Sequence, residues 1–333
     1  MFKLRIGYLI VGITTGLIVL LGFFTSLPDG KLHIVFCNVG QGDAAYIRFP
    51  DGRDMLVDGG PDNKVLDCLG RHMPFWDRHI NLVLLTHPQK DHMQGLITVL
   101  DRYSTDAFVR SDITNTTDGY KELLSVVKRR NVKQKFVTTG ETVAVGSTTL
   151  SVLWPSSDQI AKMNPVSQRP PLADVQGVAL SNSVLGASTS SINLNDGSIV
   201  FALRYGAFDA LFTGDADIRV ESLWRQFKLA DSTLEVLKYP HHGSKTAMTG
   251  EFLGTLFPSN QRRDCSSASS AILLSSHLPC PLAVISVGKN SYGHPSEAAL
   301  AALAKDAVQI KRTDKEGDIE VVSDGKTWNY VVK

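Results

Sequence analysis

The sequence predicts an α/β domain with layered sheets, preceded by one apolar helix. Three observations predict it. After Asp29, short apolar β-rich runs alternate with amphipathic helical runs. No internal repeat interrupts that rhythm, and charge is absent from Ile6 to Pro28. The 333 residues are 43% hydrophobic and 20% charged, which suits a packed globular chain and argues against bulk disorder. Lys plus Arg number 34 and Asp plus Glu 33, so the net charge is +1. That balance excludes nucleic-acid binding through a general basic field, although it leaves room for a local patch. Four cysteines without a Cys-x-x-Cys pair exclude a disulfide-framed miniprotein and a zinc knuckle.

The first element is the uncharged run of 23 residues from Ile6 to Pro28, preceded by Lys3 and Arg5. As a helix it reaches roughly 35 Å at about 1.5 Å per residue, enough for a bilayer core of about 30 Å. It is longer than the apolar stretch of a cleaved signal, and Thr25-Ser26-Leu27 is a poor cleavage site. Residues 1–28 therefore read as an uncleaved membrane anchor, with a cleaved signal (and hence secretion) and a core helix as the alternatives. Basic residues before the span put the N-terminus in the cytoplasm and the remaining 305 residues outside the cytoplasmic membrane.

Residues 29–333 are expected to form one large domain. Strand-like runs at 33–37, 44–49 and 55–57 flank the turns Asn38-Val-Gly-Gln-Gly-Asp43 and Asp58-Gly-Gly60. Ile80 to Thr86 is nearly all apolar, as in a strand buried on both faces. Helical spacing follows at 93–103 and 119–130, then strands at 133–138, 142–145, 148–153, 199–203, 210–212, 234–238 and 282–287. A helix at 297–305 and strands at 308–312 and 318–322 complete the pattern. Two stretches, 156–191 and 258–281, lack periodicity and read as surface insertions.

Chemistry-bearing residues fall just beyond strand ends, where α/β sheets present their sites. Thr86-His87-Pro-Gln-Lys-Asp91-His92 joins a buried strand to a helix. Asp215 follows the strand ending Leu211-Phe212, and His241 and His242 follow the strand ending at Lys238. Imidazole and carboxylate donors suit zinc, manganese or iron. Each cluster alone has an ordinary explanation as a helix cap or turn; three together indicate a metal site.

These segments resemble the metallo-β-lactamase superfamily, and more narrowly the hydrolase domain of ComEC-type competence proteins, over about residues 32–325. The resemblance is carried by Phe36-Cys-Asn-Val-Gly-Gln-Gly-Asp43, Leu56-Val-Asp-Gly-Gly60, Leu85-Thr-His-Pro-Gln-Lys-Asp-His92, Asn195-Asp-Gly-Ser198, Thr213-Gly-Asp215, His241-His-Gly-Ser-Lys245 and Gly293-His-Pro-Ser296. It implies a four-layer αββα sandwich with its site at one edge of the two sheets. It also implies a metal site built from His87, Asp91, His92, Asp215 and His242 that holds one or two divalent ions, Zn or Mn. Either histidine of the His241–His242 pair matches the last ligand position. Asp58 matches a supporting aspartate. Gln89 stands where a histidine is usual and Asn195 where a third histidine ligand is usual, so the second ion is expected to bind weakly.

The chemistry implied is metal-assisted hydrolysis of a phosphodiester, in which the ion acidifies a bound water and stabilises charge on a phosphoryl oxygen. Asp91, His241 and His294 are the catalytic candidates, Asp91 orienting the nucleophile or accepting its proton. His294 is placed to hold a phosphate oxygen or protonate the leaving oxygen; a structural turn is its bland explanation. Ser244 and Lys245 are candidate phosphate partners, against a solvated loop lysine. Asp43 reads as a cleft or turn residue. The first functional expectation is a membrane-anchored nuclease acting on DNA. The alternatives are a phosphodiesterase of small or cell-surface substrates and a binding protein with a degraded metal site. A β-lactamase role fits least. Cys265 and Cys280 are expected either to pair across their loop or to be free; Cys37 reads as core filler, and Cys68 as part of a helix-like segment.

Overall fold

The computed structural model describes residues 6–25, 27–164, 193–224, 234–258 and 280–333. Helix α1 (Ile6–Thr25) carries no charge, and its described side chains, including Tyr8, Ile10, Leu17 and Ile18, are exposed rather than packed in a core. Its side chains are described for residues 7–20 and Gly22. Among the described residues, no helix is long and apolar enough to cross a membrane.

The first sheet begins as an antiparallel meander of β1 (Leu32–Phe36), β2 (Ala45–Arg48) and β3 (Asp54–Val57). Strands β4 (His79–Leu85), β5 (Ser104–Arg110) and β6 (Lys133–Phe136) then add in parallel. Their crossovers are helices α2 (Lys64–His72), α3 (Lys90–Arg102) and α4 (Asp118–Arg129). Strands β7 (Thr142–Val145), β8 (Thr148–Trp154), β9 (Val200–Tyr205) and β10 (Phe208–Phe212) form the antiparallel half of the second sheet. Strands β11 (Val236–Lys238), β12 (Leu282–Ile285) and β13 (Gln309–Arg312) continue it in parallel. Helices α5 (Ser157–Met163), α6 (Ile218–Trp224), α7 (Gly250–Leu256), α8 (Glu297–Lys305) and α9 (Thr313–Glu316) accompany this half. The chain then returns to the first sheet, where β14 (Ile319–Ser323) and β15 (Trp328–Val332) extend it beyond β1. The orders are β15-β14-β1-β2-β3-β4-β5-β6 and β13-β12-β11-β10-β9-β8-β7.

Inward-facing residues of both sheets share one core, in which Phe201 and Phe212 stack at 4.7 Å between centroids and Phe36 lies 5.8 Å from Phe212. A second core joins the outer face of the first sheet to α2, α3 and α4, through residues such as Val83, Leu96 and Leu123. A third joins the outer face of the second sheet to α6, α7 and α8, through Leu237, Leu253 and Leu303. Helix, sheet, sheet and helix therefore lie in four layers, as expected, because each sheet is apolar on both faces.

Two expectations change. Residues 156–191 were expected to be without periodicity, but Ser156 accepts from Gln159 N and caps α5, which reaches Met163. The rest of that stretch, and most of 258–281, lie outside the described residues. Cys37, expected as core filler, is disulfide-bonded to Cys68 across 31 residues, tying the end of β1 to α2. The two Cα atoms stand 5.8 Å apart, a spacing the alternation of β1 and the face of α2 do not announce in the sequence. Cys280 is also disulfide-bonded, so of the two expectations for it the free thiol is excluded; Cys265 lies outside the described residues.

Candidate metal centre

The carboxyl ends of β4, β10, β11 and β12 converge at one edge of the two sheets. After β4, Thr86-His87-Pro88-Gln89 turns into α3, which places Asp91 and His92 in its first turn. The turn after β10 supplies Asp215. Beyond β11 a single helical turn, His241–Gly243, supplies two histidines. Both have left-handed backbone, φ 49° at His241 and 53° at His242, an uncommon conformation for non-glycine residues that clusters at functional sites. Gly243 is required beside them, because a Cβ there would come within 2.4 Å of Pro295 Cβ.

One ligand atom each from Asp91, His92, Asp215 and His242 lies within 4.8 Å of all the others. Asp215 Oδ2 is 3.3 Å from His92 Nε2 and 3.4 Å from His242 Nε2, and Asp91 Oδ2 is 3.4 Å from His242 Nε2. These contacts do not make good hydrogen bonds, and His92 Nε2, His242 Nε2 and Asp215 Oδ1 are left buried without a partner. Two imidazole nitrogens without a hydrogen-bond partner, facing carboxylate oxygens of Asp91 and Asp215, fit a divalent cation. Burial works against charge on all four groups, yet their mutual attraction prevails. Asp91 and Asp215 are held well below the usual carboxylate range, and His92 and His242 well above the usual imidazole value.

Outer partners orient these donors. His92 Nδ1 is bonded to Asp58 Oδ2 at 2.8 Å, and Asp58 accepts from Thr86 N and Thr86 Oγ1 at 2.8 and 2.7 Å. The supporting role expected of Asp58 corresponds to this bracket, which fixes which ring nitrogen faces the cluster. His242 Nδ1 donates to Ser286 O at 2.9 Å, turning Nε2 inward. Ser198 Oγ, from the Asn-Asp-Gly-Ser segment, accepts from Asp215 N at 3.1 Å.

The pair His241–His242 is thereby divided. His242 joins the cluster, whereas His241 points to the other side, its Nε2 3.2 Å from Asn195 Nδ2. Gln89 Nε2 donates to Asn195 Oδ1 at 2.5 Å, so these two residues and His241 form a chain bonded to itself. His87 packs its ring on His92, centroids 4.1 Å apart, with a buried Nε2 that has no partner. Burial, together with the charge of His92, pushes its pKa down to about 3, which keeps the ring neutral. His294 sits edge-on to His241 at 5.5 Å. Ser244 is buried, its hydroxyl 3.2 Å from Thr246 Oγ1, while Lys245 is exposed.

Sequence reasoning passed over one feature. Lys238, the last residue of β11, is buried and forms an ion pair with buried Asp43. It also donates to Gly214 O at 3.2 Å and stands 3.9 Å from Asp215 Oδ1. Burial raises the pKa of Asp43, but Lys238 and then His242 outweigh it and hold the carboxylate low. The signal was a single lysine ending an apolar strand directly before the histidine pair. Behind the cluster, Asp43, Asp58, Thr86, Phe212 and Lys238 line a cavity of about 10 Å³, room for one water at most and too small to be a substrate seat.

Layered sheets with an acid–histidine cluster at their edge define the class of metallo-β-lactamase-like metallo-hydrolase folds, which the chain resembles. Among known proteins, it is similar to ComE operon protein 3 of Bacillus subtilis, 22% identical in an alignment 312 positions long that covers 88% of this chain and 33% of that one. The chain thus spans about a third of that relative's length. Among solved structures it is similar to the metallo-β-lactamase fold protein YhfI of Bacillus subtilis, 9% identical, with a TM-score of 0.47 over 87% of this chain and 99% of that one. Igni18, a metallo hydrolase of Ignicoccus hospitalis, is 9% identical with a TM-score of 0.43 over 86% and 98%. A diphosphatase from the PhnP family is 12% identical with a TM-score of 0.44 over 88% and 98%. No model of a known protein family matches the chain.

Proposed function

We propose that this chain is a metal-dependent phosphodiesterase, a nuclease acting on DNA as its similarity to ComEC-type domains suggests. The observation that carries the reading is the convergence of Asp91, His92, Asp215 and His242 at the carboxyl ends of the strands. These four residues would hold a divalent ion, Zn or Mn, which would supply a nucleophile at neutral pH and offset charge on a phosphoryl oxygen. The side chain of Asp91, 32% exposed, is the most open of the four, and it orients the nucleophile or accepts its proton. We assign protonation of the leaving oxygen to His294, which sits edge-on to His241 at 5.5 Å, and attraction of the substrate's phosphates to exposed Lys245. Ser244, whose hydroxyl is shared with Thr246, is a weaker phosphate partner. Gln89, Asn195 and His241 Nε2 are engaged with one another, which leaves His87 Nε2 and His241 Nδ1 as the unpartnered ring nitrogens on that side, two donors against the four of the cluster, and favours one ion per chain.

We further propose that residues 1–28 anchor the chain in the cytoplasmic membrane with the hydrolase outside it. The uncharged run behind Lys3 and Arg5 supports this. The disulfide between Cys37 and Cys68 adds to it, because such bonds persist in oxidising compartments. A net charge of +1 favours, as second reading, smaller phosphodiesters over a broad duplex.

The full chain in detergent should hydrolyse bis(p-nitrophenyl) phosphate with Mn²⁺ or Zn²⁺, and Asp91→Ala should abolish turnover. Silence with every divalent ion overturns the enzyme reading. A reporter fused after Lys333 that works only in the cytoplasm overturns the topology.

A further inference from the structure

The segment after β12, residues 286–294, borders the site and is braced from within. Asn290 Nδ2 donates to Gly288 O and His294 O at 2.9 and 2.8 Å. Its Oδ1 accepts from Tyr292 N and His294 N, both at 3.0 Å. At its start, Ser286 O holds His242 Nδ1 and Gly288 N donates to Gln41 Oε1 at 3.3 Å. The loop is therefore shaped by its backbone and Asn290. The ring of Tyr292 is 74% exposed, and its contact within the loop is with the ring of His294.

A single exposed aromatic is ordinary. The position of this one is not. Its ring lies 5.7 Å from that of His294, tilted 34°; His294 is 5.5 Å from His241, and His241 is 6.3 Å from His242 of the metal cluster. A row of rings thus leads from solvent to the candidate metal centre. Lys289 on the same loop is exposed and offers a local cation beside it. A rigidly held, open aromatic face next to a phosphate-directed site matches the way proteins hold single strands, by stacking unpaired bases while a few cations follow the backbone. In a duplex the base faces are already covered.

We propose that Tyr292 is a stacking platform for a nucleobase of single-stranded nucleic acid, a short way along the strand from the phosphodiester presented to Asp91 and His242. This rests on the phosphodiesterase reading and deepens it, by giving the site a nucleobase subsite. It also accounts for binding without a broad basic surface, because stacking is sequence-tolerant and needs no extended positive field.

The test compares 5′-fluorescein-labelled dT12 with a dodecamer of abasic deoxyribose phosphates, by anisotropy with Mn²⁺ over times shorter than cleavage. Wild-type full chain is expected to prefer dT12. Tyr292→Ala should cut that preference by about 5- to 150-fold, the loss from one stacked base, whereas Tyr292→Phe and Tyr292→Trp should keep it. Circular dichroism checks that each variant is folded. A preference unchanged in Tyr292→Ala, or no preference for dT12 in the wild type, overturns the proposal. Turnover of bis(p-nitrophenyl) phosphate is followed separately, so that failure of the phosphodiesterase reading is seen apart from failure of the stacking subsite.

Discussion

Replacing Lys238 by Met tests how the metal centre is supported. The Met side chain keeps much of the volume of the lysine stem but removes the ammonium that faces Asp43 and Gly214 O. Both partners are buried, so Asp43 loses its strongest counter-charge and keeps only His242, whose Nδ1 is 3.4 Å away, and His92 beside Asp215, while Gly214 O loses a donor. Breaking a buried ion pair from one side costs about 3–5 kcal/mol. Against a total stability of about 5–15 kcal/mol, that is a large shift in the urea midpoint without a change in slope. Asp43→Asn strands the lysine instead and should cost a similar amount. Combined with Asp43→Asn, Lys238→Met should cost less than the sum of the two single changes, with a coupling of about 3 kcal/mol. Equilibrium urea unfolding of the four proteins, followed by circular dichroism, gives the cycle. If Lys238→Met costs under about 1 kcal/mol, or the two changes simply add, the lysine does not neutralise Asp43 and the account of this pair fails.

Asp58→Asn should leave the fold intact but weaken Mn²⁺ or Zn²⁺ binding about 10- to 100-fold, because His92 loses the carboxylate that orients it; isothermal titration with each metal reads this. Cys68→Ser should lower stability by about 3.7 kcal/mol, the loop-closure value for a separation of 31 residues; urea unfolding of the variant against wild type under non-reducing conditions, which keep the bridge at Cys280 in both, reads the difference. Asp54 is buried, which raises its pKa to about 6 even though Tyr46 donates to it at 2.7 Å. The fold thus favours the protonated acid, so its contribution is present in full below about pH 3.8 and is lost as pH rises through about 6. Asp54→Asn should accordingly be near neutral at pH 4 and stabilise by up to about 3 kcal/mol at pH 7.5; urea unfolding at the two pH values checks the sign.

Much of the fold was legible because periodicity survives wherever one face is buried. The helix at 297–305 coincides with α8, and β7 with the run at 142–145. Strand β5 escaped notice because Ser104, Thr105 and Asp106 begin it with polar residues, and it is buried only from Phe108 to Arg110. Its identity as a strand comes from parallel pairing with β4. Strand β15 was missed for a similar reason: it is an edge strand with mostly exposed side chains, held by β14. Helices α6 and α7 are each only seven residues long, too short for a helical period to stand out.

The donor types and their placement beyond strand ends are local properties of the chain, because a metal site needs particular side chains and those are written in it. Tertiary structure alone decided how they divide. His242 rather than His241 enters the cluster because Ser286, 44 residues away, fixes its ring. Gln89 meets Asn195 across 106 residues, so the incomplete second side is closed by its own hydrogen bonds. Lys238 reads as a strand end until the turn at Asp43 folds over it, and Cys37 reads as core until α2 brings Cys68 within bonding distance. Each outcome depends on contacts between distant segments. Local periodicity carries no record of them, and they exist only once the two sheets have packed.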